Sequence, residues 1–245
     1  MLPKNPSLFA FDKDGTIIDV HHYWVSMTQL RVKLISEHHT SLTKIQRNHL
    51  LRSLGVNLNN NQMFPDGPTG VKPRVFNQQV AENFLKENDI NDNFYVREAF
   101  LEADIISEKN IKNFVKPLPD AINLINSIYS LDINIAVISN DIHSRVKLAM
   151  ESLGIMDKIS LIIGGDEVKN VKPAGDMLLR AIDYFKCNPS DVVNIGDHPN
   201  DIRMGHNSDV KFNIGVLTGL NDADKFTSLK CKLVNNLSEV KMELE

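Results

Sequence analysis

The stretch SLFAFDKDGT, residues 7–16, decides the fold of this chain. Its first five residues form a short apolar run that stops at Asp12, and Gly15 follows shortly afterwards. A run of this length that ends in polar residues is typical of a buried strand that feeds a loop. The carboxylates of Asp12 and Asp14 therefore come directly after a predicted buried strand.

Three further apolar runs end in small or polar residues in the same way, at residues 133–138, 159–163 and 192–195. Helix-like patterns lie beside them, at residues 122–128, 142–153 and 177–185. Strands that alternate with helices predict an α/β fold with three layers, in which helices cover both faces of a parallel sheet. Ligands bind such sheets at the carboxyl ends of the strands, where the acidic and hydroxyl residues of this chain fall.

Residues 19–115 break this alternation and predict an inserted, all-helical domain. They contain helix-like stretches at residues 24–37, 44–54, 77–88 and 97–113, without an obvious strand between them. Residues 57–74 are rich in Asn, Pro and Gly, which predicts an irregular loop in the middle of the insertion. The predicted organisation is a core domain formed by residues 1–18 and 116–245, and a second domain formed by residues 19–115.

Composition and charge exclude several classes of protein. The 245 residues are 42% hydrophobic and 24% charged, as in an ordinary globular chain. Asp and Glu (31) outnumber Lys and Arg (27), and there is no basic block that could follow a nucleic-acid backbone. No apolar run approaches the roughly 20 residues that span a bilayer, and residues 1–11 lack the long apolar segment of a secretory signal. We therefore expect a soluble cytoplasmic protein that binds neither nucleic acid nor membrane, with Cys187 and Cys231 reduced.

Residues 12–16 have other interpretations when they are taken alone. Asp and Gly are common in turns, so the segment could be a simple turn. A calcium loop of the EF-hand type requires Gly at its sixth position and Glu at its twelfth, where this chain has Ile17 and Tyr23. The calcium interpretation is therefore excluded. The position of two carboxylates directly after a buried strand distinguishes the segment from an ordinary turn.

Four short motifs follow one another along the chain: FDKDGT at residues 11–16, VISN at 137–140, Lys172-Pro173, and GDHPND at 196–201. In this order they resemble the motifs of the haloacid dehalogenase superfamily, whose hydrolases use an aspartate nucleophile. The resemblance covers residues 1–18 and 116–245 and implies a Rossmann-like core. The insertion is similar in position and helical character to a type 1 cap domain. The resemblance around FDKDGTIIDVHHYW at residues 11–24, together with the long loop inside the insertion, favours the phosphoglycolate phosphatase-like branch.

The resemblance also implies which residues take part in catalysis. Asp12 would be the nucleophile that forms an aspartyl-phosphate, which divides one difficult displacement into two easier ones. Asp14 would protonate the leaving alkoxide and then take a proton from the attacking water. Ser139 and Asn140 would bind phosphoryl oxygens at the start of a helix beginning at residue 141 or 142, and they could also cap that helix. Lys172 would place a positive charge against the phosphoryl group and Asp12.

A Mg²⁺ cofactor follows from the same resemblance. Mg²⁺ prefers octahedral oxygen ligands and keeps several waters, so few protein groups are needed. By resemblance these groups are the carboxylates of Asp12 and Asp197 and the backbone carbonyl of Asp14, with Asp201 orienting a bound water.

The expected function is that of a Mg²⁺-dependent phosphatase that hydrolyses a small phosphorylated metabolite, phosphoglycolate-like or a sugar phosphate, as a monomer or homodimer. Dehalogenases that resemble this chain lack an acid at the position of Asp14, and phosphonatases depart from this pattern of two aspartates. Two alternatives stay open: a phosphomutase resembling β-phosphoglucomutase, and a non-catalytic module that binds a phosphorylated ligand.

Overall fold

The computed structural model describes residues 2–90 and 93–243. The predicted domain ranges also include residues 1, 91, 92, 244 and 245, which lie outside the described residues. The strands are β1 (Leu8–Phe11), β2 (Val56–Asn57), β3 (Gln62–Met63), β4 (Asn134–Ile138), β5 (Leu161–Ile163), β6 (Val192–Gly196), β7 (Phe212–Val216) and β8 (Lys232–Val234). The α-helices are α1 (Val20–His38), α2 (Lys44–Ser53), α3 (Arg74–Glu87), α4 (Asn93–Lys109), α5 (Ala121–Ser130), α6 (His143–Ser152), α7 (Asp176–Phe185), α8 (Pro199–Asn207) and α9 (Leu237–Lys241).

The chain divides into two compact units. The first contains the residues up to Val20 and those from Val115 onward, and the second is His21–Phe114. The chain therefore leaves the first unit after residue 20, where the sequence suggested residue 18, and returns to it at residue 115, where the sequence suggested residue 116.

The first unit is built on a six-stranded sheet in the order β5-β4-β1-β6-β7-β8, and every neighbouring pair is parallel. Strand β1 lies between β4 and β6. Its last residue, Phe11, is in register with Val137 of β4 and Ile195 of β6. Because all three strands run in the same direction, the residues that follow them emerge at one edge of the sheet.

Strand β1 is buried on both of its faces, which places helices on both sides of the sheet. Leu8 and Ala10 belong to a core cluster that includes Met177 of α7. Phe9 and Phe11 point to the opposite face, where they are fully buried and their ring centroids lie 6.2 Å apart. Burying one such side chain stabilises the fold by about 1.5–3 kcal/mol. The predicted α/β fold with a three-layer parallel core is confirmed.

The sequence did not predict the outer strands β7 and β8. In β7 a polar residue, Asn213, and a glycine, Gly215, interrupt the apolar run. Asn213 is nevertheless buried, and its side-chain oxygen accepts a hydrogen bond of 2.9 Å from the side-chain amide of Asn194 in β6. This paired amide contact satisfies both polar groups inside the core, which the apolar pattern alone does not reveal.

The second unit consists mainly of helices α1 to α4. The first part of residues 57–74, which were expected to form one irregular loop, instead belongs to the antiparallel pair β2 and β3, in which Val56, just before that range, faces Met63. Both of these side chains are buried, so the short ladder is anchored by apolar contacts. The helix that follows starts at Arg74, where the sequence suggested residue 77.

The structure gives two observations that bear on the state of the cysteines and on the expected absence of membrane-spanning segments. Cys187 and Cys231 are both free thiols. Over residues 2–90 and 93–243, no helix combines the length and the apolar character that crossing a membrane requires.

The carboxylate of Glu167 joins the loop after β5 to helices α6 and α7 through hydrogen bonds. Its Oε2 accepts a hydrogen bond of 2.8 Å from the backbone N–H of Gly164 and lies 2.8 Å from His143 Nδ1. Its Oε1 accepts a bond of 3.2 Å from Arg180. Burial alone would raise the pKa of Glu167, but the bonds from Gly164 and His143 lower the pKa below its usual value.

This lowered pKa makes the stability of the first unit depend on pH. Since the pKa of Glu167 is lower in the folded chain than in the unfolded one, its contribution is present above about pH 4.5 and is lost as the pH falls through the folded-state value. We expect Glu167→Gln to lower the free energy of unfolding by about 1 kcal/mol at pH 7 and by less at pH 3, in urea titrations. The control is Glu151→Gln, because Glu151 is about half exposed. An equal effect of Glu167→Gln at both pH values would contradict the prediction.

Candidate active site

The polar residues that follow the three central strands meet at one edge of the parallel sheet. Asp12 follows β1, Ser139 follows β4 and Asp197 follows β6. Backbone bonds continue the sheet beyond the strands: the N–H of Asp12 donates to the carbonyl of Ile195 at 2.9 Å, and that of Ser139 donates to Ile163 at 3.0 Å. The parallel register therefore gathers residues that are far apart in the sequence.

Lys172 links two acidic residues at this edge, Asp12 and Asp201, directly. Its ammonium donates to Asp12 Oδ1 at 2.6 Å and lies 2.8 Å from Asp201 Oδ1. The Lys172 residue is only 6% exposed. Burial alone would lower the pKa of Lys172, but the charges of Asp12 and Asp201 raise it. Lys172 is therefore a fixed cation between two carboxylates.

Asp12, Asp197 and Asp201 form an acidic triad, in which one carboxylate oxygen from each residue lies within 4.8 Å of the other two. Burial, followed by the charge of a neighbouring carboxylate, raises the pKa of Asp197 well above its usual range. Burial and the charge of Asp201 also raise the pKa of Asp12, although Lys172 opposes this. Buried like charges at this separation are costly unless a cation balances them. The oxygen donors, and the negative charge that a single lysine leaves unbalanced among three carboxylates, fit a divalent cation of the Mg²⁺ type.

Asp201 is held in place by the first turn of α8. Its Oδ2 accepts a bond of 2.9 Å from the backbone N–H of His198, whose ring Nδ1 accepts the N–H of Asn200 at 3.0 Å. These reciprocal bonds form a capping box, with Pro199 at the first helical position. The fixed Oδ2 leaves Oδ1 directed at Lys172. The acid three residues after the cap, with the intervening proline, was a sequence signal for this arrangement.

Glycine at position 15 allows the chain to pass beside Asp197. Gly15 has a φ of +85°, and a side-chain carbon there would lie 2.3 Å from Asp197 Oδ2. The next residue, Thr16, donates its hydroxyl to Asp197 Oδ1 at 3.3 Å. A glycine is therefore required both by the left-handed backbone and by the space that Asp197 occupies.

Two further residues of the site come from the connection after β7 and were not found by sequence reasoning. The Thr218 hydroxyl donates to the carbonyl of Gly15 at 2.6 Å. Gly219 lies so close to Asp197 that an added Cβ would be 1.8 Å from its Oδ2. No local motif indicates these residues. Their role depends on β6, the parallel neighbour of β7, because Asp197 follows that strand.

The carboxylate of Asp14 lies outside the acidic triad. Its Oδ2 is 2.9 Å from the ammonium of Lys13, a residue that is 2% exposed. Burial raises the pKa of Asp14, and the charge of Lys13 opposes this. The structure therefore separates Asp14, which is paired with Lys13, from the carboxylates that surround Lys172.

Ser139 and Asn140 do not cap the helix that follows them, so that alternative is wrong. Helix α6 begins at His143, one or two residues later than expected, and its N-cap Ile142 makes no side-chain cap bond. The Ser139 hydroxyl instead accepts a bond of 3.2 Å from the N–H of Asp141, which leaves its proton available for donation. Asn140 Oδ1 accepts the backbone N–H of Lys172 at 3.1 Å, and so holds the loop that carries this lysine.

Comparison with known proteins identifies the family of this chain. A family model described as haloacid dehalogenase-like hydrolase matches residues 9–214, which include the acidic triad and all of β1 except its first residue. The chain belongs to the haloacid dehalogenase-like hydrolases. The sequence-based assignment to this superfamily is confirmed, as is the expectation of an enzyme of the hydrolase type.

Relatives of this hydrolase include two bacterial proteins named phosphoglycolate phosphatase. The one from Aquifex aeolicus is 23% identical over 207 residues, which cover 83% of this chain and 82% of the relative. The one from Neisseria meningitidis is 33% identical over 89 residues, covering 36% of this chain and 38% of the relative. A solved structure from Thermotoga maritima, described as a candidate beta-phosphoglucomutase, has a TM-score of 0.72 at 16% identity and covers 97% of this chain and 98% of its own. That last similarity shows the fold alone.

Proposed function

We propose that this hydrolase is a Mg²⁺-dependent phosphatase that cleaves a small phosphorylated metabolite, phosphoglycolate or a sugar phosphate, through an aspartyl-phosphate on Asp12. The observation that carries the proposal is the group formed by the partly exposed Asp12 and the buried residues Lys172, Asp197 and Asp201. It combines a carboxylate nucleophile, a fixed cation within 2.6 Å of it, and oxygen donors for a metal. The names of the two phosphoglycolate phosphatase relatives support the substrate class.

In the first step, a carboxylate oxygen of Asp12 attacks the phosphorus atom and the bond from phosphorus to the ester oxygen breaks. Asp14 donates its proton to the leaving oxygen, so the alcohol leaves as a neutral molecule. Lys172 keeps the Asp12 carboxylate oriented through its bond to Oδ1, and the Ser139 hydroxyl donates to a phosphoryl oxygen. These fixed donors offset negative charge that accumulates during transfer.

In the second step, water attacks the phosphorus atom of the aspartyl-phosphate and the bond from phosphorus to Asp12 breaks. Asp14, now a carboxylate, takes a proton from this water. The products are inorganic phosphate and the original Asp12 carboxylate, so the cycle is closed.

The acidic triad would hold the Mg²⁺ ion, together with the backbone carbonyl of Asp14. When bound, the ion would supply positive charge that offsets the phosphoryl oxygens and the buried carboxylates. Thr16 fixes Asp197 by its bond to Oδ1, and the capping box fixes Asp201. These contacts prevent the two carboxylates from turning away from Asp12.

The helical second unit is proposed to act as the cap that selects the leaving alcohol. Its position in the chain supports this role, because it is inserted between Asp12 after β1 and Ser139 after β4. Caps of this kind exclude water from the reacting groups and contact the part of the substrate that leaves.

The function is tested with the purified chain and a panel of phosphorylated compounds that includes 4-nitrophenyl phosphate, 2-phosphoglycolate and β-glucose 1-phosphate. We expect release of inorganic phosphate in the presence of Mg²⁺, and its loss when EDTA removes divalent ions. Isomerised sugar phosphate without free phosphate would identify a mutase instead. Binding without turnover over the whole panel would favour a non-catalytic module, and either result would reject the proposed phosphatase.

Substitution of Gly219 tests whether Asp197 is a metal ligand. In Gly219→Ala the new methyl group would lie 1.8 Å from Asp197 Oδ2 and 2.5 Å from its Cγ, so the whole carboxylate must move. We expect the Mg²⁺ concentration for half-maximal activity to rise by about 10–100-fold, as for other changes to groups that orient metal ligands. The matched control is Ser228→Ala, at an exposed position of the same connection between β7 and β8. An unchanged Mg²⁺ requirement would contradict the role of Asp197.

A further inference from the structure

Lys13 is a fully buried lysine that the reaction described above does not use. Its ammonium lies 2.9 Å from Asp14 Oδ2 and 3.0 Å from Asp141 Oδ2. Asp14 follows strand β1 and Asp141 follows strand β4, so the lysine connects two neighbouring strand ends. It is 2% exposed, which means that its charge is separated from bulk water and requires partners.

Asp141 is itself fixed on the side away from Lys13. Its Oδ1 accepts the backbone N–H of Ile142 at 2.9 Å and lies 3.4 Å from Arg145 Nη1 in α6. A continuous series of contacts therefore runs from the start of α6 through Asp141 and Lys13 to one oxygen of Asp14. Such a series fixes the orientation of the Asp14 carboxylate more firmly than one exposed ion pair would.

The two oxygens of Asp14 have different surroundings as a result. Oδ2 is bound to Lys13, whereas Oδ1 is buried and has no hydrogen-bond partner among the described residues. A buried oxygen without a partner is uncommon and indicates that a group outside the protein completes its bonding. In a phosphatase that group is the leaving oxygen of the substrate, and afterwards the attacking water.

We infer that Lys13 and Asp141 are positioning residues for Asp14, and that they direct Oδ1 to the oxygen that gains or loses the proton. This inference rests on the proposed phosphatase function and adds the residues that orient its acid. Lys13 acts through Asp14 and does not touch the substrate. Orientation of this kind matters most when the leaving group is a poor one, because a stable leaving anion needs no proton.

The test compares two leaving groups in the formation of the phosphoenzyme, measured by rapid quench in a single turnover. One substrate is 2-phosphoglycolate, or the alkyl phosphate that the wild type cleaves fastest, and the other is 2,4-dinitrophenyl phosphate. For Lys13→Met we expect formation from the alkyl phosphate to fall about 10²-fold, and that from the dinitrophenyl ester to fall by less than about threefold. Asp141→Asn keeps an oxygen that can accept from Lys13, so its loss with the alkyl phosphate should be about tenfold.

A structural control comes from the other end of the same two strands. The side-chain amide of Asn134 donates to the carbonyl of Ser7 at 3.1 Å and so joins the starts of β1 and β4. Asn134→Ala should lower stability without changing the ratio between the two substrates. If Lys13→Met does not fold, Asp141→Asn provides the same comparison.

Two results would overturn the inference without affecting the proposed function. One is an equal loss with both substrates in Lys13→Met, which would indicate a general structural effect. The other is a wild-type ratio in both the Lys13 and Asp141 variants. Failure of the wild-type protein to form a phosphoenzyme from either substrate would instead reject the proposed function, and the inference with it.

Discussion

Replacing Asp12 by asparagine is expected to abolish phosphate release, with a loss of at least about 10³-fold in turnover, because an amide cannot form the phosphoenzyme. Asparagine keeps the size of the side chain and an oxygen that can accept from Lys172. The measurement is covalent labelling: the wild type, quenched in acid after brief exposure to a ³²P-labelled substrate, should carry a label that hydroxylamine removes, as expected of an acyl phosphate. Asp12→Asn should carry none.

The control for this substitution must change an aspartate without touching the site. Asp157→Asn is suitable because its side chain is 73% exposed and lies in the connection between α6 and β5. It should be labelled like the wild type. Thermal unfolding without divalent ions shows whether Asp12→Asn is folded. Undiminished turnover in folded Asp12→Asn would show that another residue is the nucleophile.

The second large effect is expected at Lys172, where Lys172→Met should lower turnover by about 10²–10³-fold, as when one transition-state donor is removed. It should also destabilise the protein by about 3–5 kcal/mol without divalent ions, because Asp12 and Asp201 would lose the buried charge that balances them. Added Mg²⁺ should recover part of this stability but not the turnover. Steady-state kinetics and urea unfolding with and without Mg²⁺ measure the two effects.

A matched control for Lys172 lies in the same loop. Lys169 is exposed, so Lys169→Met should leave both turnover and stability close to those of the wild type. Lys172→Arg preserves the charge but not the compact shape of the ammonium, and an intermediate loss is expected. Wild-type turnover in a folded Lys172→Met variant would disprove the role of this lysine.

The chemistry of the proposed site depends on contacts between residues that are remote in the sequence. Lys172 is 160 positions from Asp12, Thr16 is 181 positions from Asp197, and Thr218 is 203 positions from Gly15. The sequence motifs indicated Asp12, Lys172 and Asp197 because these residues lie in motifs that follow one another in the order found in the haloacid dehalogenase superfamily. They did not indicate Thr218, which belongs to no motif. Thr16 ends the motif FDKDGT, but the motif by itself does not show that its hydroxyl donates to Asp197.

Helix boundaries and polar core residues show where local signals are weak. Polar residues after a strand favour helix initiation, which predicts that α6 starts at residue 141 or 142. The helix begins at His143 because Ser139 closes a separate turn by accepting from Asp141. Strand β7 was not predicted for a similar reason. The polar residue Asn213 interrupts its apolar run, and its side-chain oxygen finds its hydrogen-bond donor in Asn194 on the adjacent strand.

The sequence by itself determined the parallel α/β core, the position of the helical insertion and the acidic residues at the strand ends. These follow from apolar runs, helical periodicity and short motifs, all of which are local properties of the chain. Only the tertiary structure decided that Lys172 lies between Asp12 and Asp201, and that Lys13 is buried between Asp14 and Asp141. The physical reason is that strand register and packing set the direction and burial of a side chain, and a lysine has the same local signature whether it lies in solvent or in the core.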